Sequence, residues 1–114
     1  MKISTEIPSA LDISSAEKRL SFSFPEGYVS FLRSGGLGEL RIKHRVLSPS
    51  EAIKSQRLIS HRGLVPFADN GCGDFYCWVA AQGSASVVVF VDHESGTYHE
   101  ISESFDAWLR ESRF

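Results

Sequence analysis

The chain is poor in the residues that would mark it as a stapled, fibrous or membrane protein. Among 114 residues there are two cysteines, one methionine and four prolines. Two cysteines cannot build a disulfide framework. The aliphatic run Val87 to Val91 is far short of the roughly 20 apolar residues a spanning helix needs. The first residues, Met1-Lys2-Ile3-Ser4-Thr5-Glu6, lead into no apolar block of the kind a secretory leader carries. Cytoplasm is therefore the expected compartment, with no membrane partner. There are no repeats, no low-complexity tracts and no linker. What is present is ordinary for a globular domain: 42% apolar and 23% charged residues, which excludes disorder. The length suits one domain over residues 1–114, with a core large enough to need no metal.

The net charge of −2 is unevenly spread. Residues 1–63 carry ten Lys/Arg and six Asp/Glu, whereas residues 64–114 carry two and eight. The first part is net +4 and the second net −6. An acidic surface favours basic partners, chiefly through encounter rate and selectivity.

Periodicity divides the chain into helices first, strands next and a closing helix. Ser14 to Glu17 reads as a capping box after an extended lead-in of ten residues, with Ala16 and Leu20 on one helical face. Pro25 opens a second helix whose Tyr28, Phe31 and Leu32 form an i, i+3, i+4 stripe, ended by Gly35 and Gly36. Leu40, Ile42, His44 and Val46 alternate with Arg41, Lys43 and Arg45, giving a half-buried strand with a basic outer face. Ser48-Pro49-Ser50-Glu51 is a second capping box, predicting a helix from about 49 to 60 with Ala52, Ile53 and Ile59 inward. A short strand from Leu64 to Ala68 contains Pro66, which suggests a sheet edge. After the turn signal 69–73, Asp74 to Ala81 places Phe75, Cys77 and Val79 on one face and Tyr76, Trp78 and Ala80 on the other. Ser86 to Asp92 is apolar on both faces, as in a central strand. Glu94-Ser95-Gly96 turns the chain into a strand from Thr97 to Ile101. Short connections imply an antiparallel meander. Ser102 or Ser104 caps a last helix with the stripe Phe105, Trp108, Leu109. The expected class is α+β, a largely antiparallel sheet with flanking helices.

Five constellations invite chemistry. Cys72, Cys77, His93 and His99 have nearly zinc-like spacing. The histidines, however, flank a turn after a valine strand rather than ride on a helix, so one core thiol, one turn thiol and two surface imidazoles are the better reading. Asp69, Asn70 and Asp74 lack the ligand pattern of a calcium loop and read as a hydrogen-bonded turn. The glycine clusters at 35–38 and 71–73 lack the residues that complete a phosphate loop. Cys72 with His93 or His99 could form a nucleophile and base, but no local signature supports it. The basic strip Arg41, Lys43, His44, Arg45 has no interleaved aromatic platform, so a solvated strand face is expected rather than a nucleic-acid site. No catalytic residue, cofactor or metal is expected.

Several segments taken in order resemble one family. They are Phe24-Pro25-Glu26-Gly27-Tyr28 running into Val29 to Leu32; Val65-Pro66-Phe67-Ala68; Gly71-Cys72-Gly73-Asp74-Phe75-Tyr76-Cys77; Val88 to Val91 followed by Asp92-His93-Glu94; and Ser104-Phe105-Asp106-Ala107-Trp108-Leu109. Together they resemble the SUKH superfamily, also called the Smi-one/Knr-four-like family. The chain departs from the family pattern at Ser34-Gly35-Gly36, where Asn-Gly is frequent, and at Val79, where an Asp often stands. The resemblance implies an α+β fold and no catalytic residues. It implies a protein partner: bacterial members are mostly immunity proteins that bind and block a toxin domain, often a nuclease or deaminase, while fungal relatives are regulatory scaffolds. The expected function is thus a non-enzymatic immunity protein, with a regulatory adaptor as the alternative. It would act as a monomer or weak homodimer and make no direct contact with nucleic acid. From charge alone, Asp69, Asp74, Asp92, Glu94, Glu100 and Glu103 are the expected partner-binding residues.

Overall fold

The computed structural model of the chain describes residues 9–34, 44–59, 61 and 63–112. The order of elements is α1 (Ala10–Leu20), α2 (Glu26–Arg33), β1 (Arg45–Val46), α3 (Pro49–Gln56), β2 (Leu64–Asp69), β3 (Phe75–Val79), β4 (Val88–Val91), β5 (Tyr98–Ser102) and α4 (Phe105–Ser112). The five strands form one sheet in sequence order, and every neighbouring pair is antiparallel. The α+β meander expected from the sequence is the architecture found.

The two faces of β3 separate the core into two clusters. Tyr76 and Trp78 face the helices, where Ile13, Ala16 and Leu20 of α1, Tyr28, Phe31 and Leu32 of α2, and Phe105 and Trp108 of α4 are buried. Trp78 lies at the centre of an aromatic cluster. Its ring stacks on Phe67 at 4.5 Å and on Phe22 at 5.4 Å, and meets Tyr28 edge-on at 4.9 Å. Such pairs add about 0.5–1.5 kcal/mol each beyond area burial. The opposite face of β3 places Cys77 with Leu64, Val89 and Val91 in a smaller aliphatic cluster.

Local chemistry explains most element ends. Ser48 caps α3 reciprocally with Glu51, as the sequence predicts, but the helix stops at Gln56 rather than near 60. Ile59, beyond the helix, still packs inward on the smaller cluster. The capping box of α1 differs from expectation. Ser9 and Asp12 form it, and Ala10 is already helical. Ser14 and Glu17 therefore lie inside the helix. Glu17 instead reaches past the C-terminal end and accepts from the Phe24 backbone N–H at 2.8 Å. Ser104 caps α4, its hydroxyl accepting from Ala107 N–H. Ser102 does not cap; it donates to Glu111 at 2.6 Å.

Pro66 does not mark an edge strand. β2 lies between β1 and β3. Two features accommodate the proline: the register shifts between Pro66 and Ala68, and β1 pairs only with Ala68 and Asp69. A bulge next to a short partner strand leaves the ladder with no need of the missing donor. Between β3 and β4 the chain runs through a 3-10 segment, Ala80–Ala85, broken at Gly83 with φ of 66°. Buried Ser86 closes it, accepting from Val79 N–H and donating to the Val87 carbonyl, both at 2.7 Å. The glycines expected to end α2 and most of the basic strand lie outside the described residues.

Candidate functional site

The turn between β2 and β3 is held by side chains that accept from its own backbone. Asp69 Oδ1 accepts from Gly71 N–H, and Asn70 Oδ1 accepts from Cys72 and Asp74 N–H. Asn70 also donates its amide to Asp74 Oδ2 at 2.9 Å. This is the hydrogen-bonded turn the sequence suggests.

Asp74 extends the network to the next hairpin. Its Oδ1 accepts from the His93 backbone N–H at 2.9 Å and from the His93 ring Nδ1–H at 2.6 Å. The two bonds from His93, with the Asn70 amide, hold the Asp74 carboxyl down at about 2. In return the hydrogen bond to Asp74, with the charges of Asp74, Glu94 and Asp92, raises the imidazole above its ordinary value. Gly73 suits this turn because its φ is +95°, a conformation that strains any side chain, and it lies against the His93 ring. The β4–β5 turn is similarly self-bonded. Asp92 Oδ1 accepts from Glu94 N–H at 2.8 Å, and Asp92 N–H donates to the Thr97 carbonyl at 2.9 Å.

The six acids expected at an interface divide into three groups. Asp69 is buried and bound by Arg45 at 2.6 Å, so it is withdrawn from the surface by its own ion pair. Asp74 and Asp92 are half-buried and hold turns together. Glu94, Glu100 and Glu103 are exposed. β5 also exposes two apolar side chains, Tyr98 at 47% and Ile101 at 38%. His61 packs edge-on against Tyr98 at 4.8 Å and donates to the Gly96 carbonyl, which steadies the hairpin tip.

The zinc-like quartet does not converge. Cys77 is buried in the aliphatic cluster, and burial pushes its thiol well above the ordinary range. His99 lies on the other face of the sheet, where its ring meets Phe90. Cys72 is exposed, and among the described residues its thiol makes no hydrogen bond to His93. A different trio, Asp74, Asp92 and His93, offers three ligand atoms within 4.8 Å of one another. Asp74 and His93 are hydrogen-bonded to each other, and Asp92 accepts from the backbone N–H groups of Glu94 and Ser95, so each of the three already has a role in holding its turn.

Arg45 of the basic strip does not face solvent freely. It bridges Asp69 and Glu51, the latter at 3.2 Å. His44 packs on Tyr76 and Trp108. Arg41 and Lys43 lie outside the described residues. Among the described residues no helix is long and apolar enough to cross a membrane.

One family model matches residues 7–111, nearly the whole chain. The chain belongs to the SMI1 / KNR4 family (SUKH-1). No curated protein matches it at a significant level. In this SUKH chain the blocks that carry the resemblance meet in space. Asp74 of the glycine-aspartate block binds His93 of the Asp-His-Glu block, and Tyr28 of the first block touches Phe105 of the last at 5.6 Å. Sequence reasoning misses the Asp74–His93 pair, because its two residues lie 19 apart in separate blocks.

Proposed function

We propose that this SUKH protein is a non-enzymatic immunity protein, working as a single domain in the cytoplasm, that binds and neutralises a cognate toxin domain. Its acidic hairpin, Glu94, Glu100 and Glu103 with Asp92 behind them, contacts the toxin. The observation that carries the reading is the row of exposed carboxylates on β5 and at its two ends, with Tyr98 and Ile101 exposed on the same strand, in a chain of the SMI1 / KNR4 family (SUKH-1). A toxin that cleaves or deaminates nucleic acid presents basic surface to phosphate, so an acidic inhibitor competes for the same charges. Exposed Tyr98 and Ile101 on the same strand supply the apolar anchor that charge alone lacks.

The test begins with tagged protein passed over lysate of its own source, with bound proteins identified by mass spectrometry. A captured toxin domain is then co-expressed with and without the protein. Rescue of growth, with Kd in the nanomolar range, about −12 kcal/mol, is the expected result. Micromolar binding to a housekeeping or signalling protein, with no toxin neutralised, favours the regulatory adaptor instead. Rapid iodoacetamide labelling of Cys72 near neutral pH would argue for a reactive thiol and against a purely binding role.

A further inference from the structure

The two edges of the sheet are built differently. At one edge β1 spans only Arg45–Val46, and its arginine is tied into two ion pairs. Short strands and basic side chains are the usual ways a protein blunts an edge. At the other edge β5 runs five residues, Tyr98 to Ser102, of which Tyr98 to Ile101 are exposed. It has no proline, lysine or arginine. Among the described residues nothing pairs with its outer side. The phase of the ladder is fixed by the bond from Asp92 N–H to the Thr97 carbonyl. Hydrogen-bonding direction alternates along an antiparallel pair, so Tyr98, opposite Val91, and Glu100, opposite Val89, turn their own N–H and C=O away from β4, up to the register shift that leaves Ile101 unpaired.

From this edge and its charge we infer that β5 is a docking strand, and that its occupant is an extended, basic segment of the partner protein that adds a sixth strand to the sheet. This rests on the protein-binding reading above and names the element that does the binding. Residues 92–103 contain four carboxylates, Asp92, Glu94, Glu100 and Glu103, and no lysine or arginine. A segment with alternating basic residues pairs its main chain with β5 and its charges with these acids. A second copy of the chain is the poorer occupant. An antiparallel β5–β5 pair centred on Glu100 sets carboxylate against carboxylate, and like charges directly opposite are destabilising.

The experiment titrates the isotopically labelled full chain with capped synthetic peptides while backbone amide resonances are followed by NMR. The first peptide alternates lysine and valine. The second has the same sequence with alternate amides N-methylated, which keeps charge and removes donors. The third replaces lysine by glutamate. The first peptide is expected to shift the amides of Tyr98 to Ser102. N-methylation should weaken binding at least tenfold, and the acidic peptide should not bind. E100K in the protein should weaken the lysine peptide about tenfold; if that variant folds poorly, the N-methylated peptide tests the same pairing on unaltered protein. Equal binding of the N-methylated peptide, shifts that leave residues 98–102 unmoved, or no binding would overturn the proposal. Shifts in 98–102 that grow with protein concentration alone would overturn it in favour of self-association. The peptides are not toxins, so either result stands apart from immunity. A toxin neutralised while residues 98–102 stay unperturbed would sink the docking strand and leave the immunity reading intact.

Discussion

At the β1 end of the sheet Arg45 holds Asp69 at 2.6 Å and Glu51 at 3.2 Å, and both acids are largely buried; at the β5 end Glu94, Glu100 and Glu103 face solvent. The same side-chain chemistry thus does two jobs. Near β1 a carboxylate fixes how strand and helix meet, and Tyr28 adds a buried hydrogen bond to the Leu47 carbonyl at 2.7 Å. Near β5 the fixing is done one layer back, by Asp74 and Asp92, and the glutamates are left over. Acids already bound within the fold have little to offer a partner. Acids held out on a self-bonded hairpin keep their charge available at small entropic cost.

The largest effect is expected where the β1 end meets the core. Phe67, at the bulge of β2, is fully buried against Trp78, Phe105 and Trp108. Phe67→Ala should cost about 3–5 kcal/mol, since the aromatic cluster cannot collapse onto the void. Urea denaturation followed by tryptophan fluorescence measures it. A cost under about 1 kcal/mol would mean that this end is less tightly packed than its burial says.

Arg45→Ala comes next and breaks the comparison directly. It strands Asp69 without its cation and removes the link from β1 to α3. Arg45 is 39% exposed, so solvent screens part of the interaction. The expected loss is about 1–2 kcal/mol, larger than for any single exposed glutamate of β5. Denaturation of Arg45→Ala beside Glu100→Ala checks the ranking. Equal effects would erase the distinction between the two ends.

How much of this is readable in the sequence follows from the range of the interactions involved. Patterns that act within a few residues are readable. The Ser48–Glu51 box, the alternation of Phe75 to Val79 and the stripe of Phe105, Trp108 and Leu109 all report local geometry, and they define the α+β class. Choices between competing local signals go astray. Both Ser9 and Ser14 precede an acid three residues on, and the earlier one wins because Ala10 to Ile13 are themselves helical. Pro66 suggests an edge because a ladder needs its donor, and only the register shift beside it reveals why an inner strand tolerates it. Charge is readable as a total but not as a placement. Asp69 and Glu94 look alike in the sequence; one meets an arginine 24 residues away, the other meets water. The Asp74–His93 pair, 19 residues apart, is hidden for the same reason.

That pair predicts how the β5 end responds to pH. Asp74 is depressed from 3.8 to about 2, so its contribution is complete above its ordinary value and is lost as pH falls toward 2. His93 is raised above 6.5, so its contribution is complete below 6.5 and is lost as pH rises through the raised value. The hairpin should therefore be anchored most firmly between about pH 4 and 6.5 and loosen on the alkaline side. Asp74→Asn should bring the His93 titration, read from its ring proton resonances, back toward 6.5. Amide exchange should quicken at residues 70–74 and 93–96 while the β1 end is unchanged. If Asp74→Asn leaves the His93 titration where it was, the neighbouring Asp92 and Glu94 are sufficient to raise it and the clamp is not what holds the hairpin.

The smallest effect on stability is expected where the effect on binding should be greatest. Among the described residues Glu94, Glu100 and Glu103 form no salt bridge, although the charge of Glu94 helps to raise His93, so their joint replacement by lysine breaks no direct ion pair of the fold. Surface substitutions of this kind usually stay within about ±0.5 kcal/mol each. Three reversals also relieve repulsion, since residues 64–114 carry net −6. Partner binding should respond in the opposite sense. Each reversed charge turns an attraction into a repulsion, slowing association and changing its dependence on salt. The triple variant should unfold at nearly the parent's urea midpoint and yet lose at least tenfold in affinity for a captured partner. A parent-like affinity at low salt would place the binding face elsewhere on the molecule. An equal loss in Arg45→Ala, compared at matched folded fraction, would mean that the β1 end takes part in binding and that the division between the two ends is one of degree.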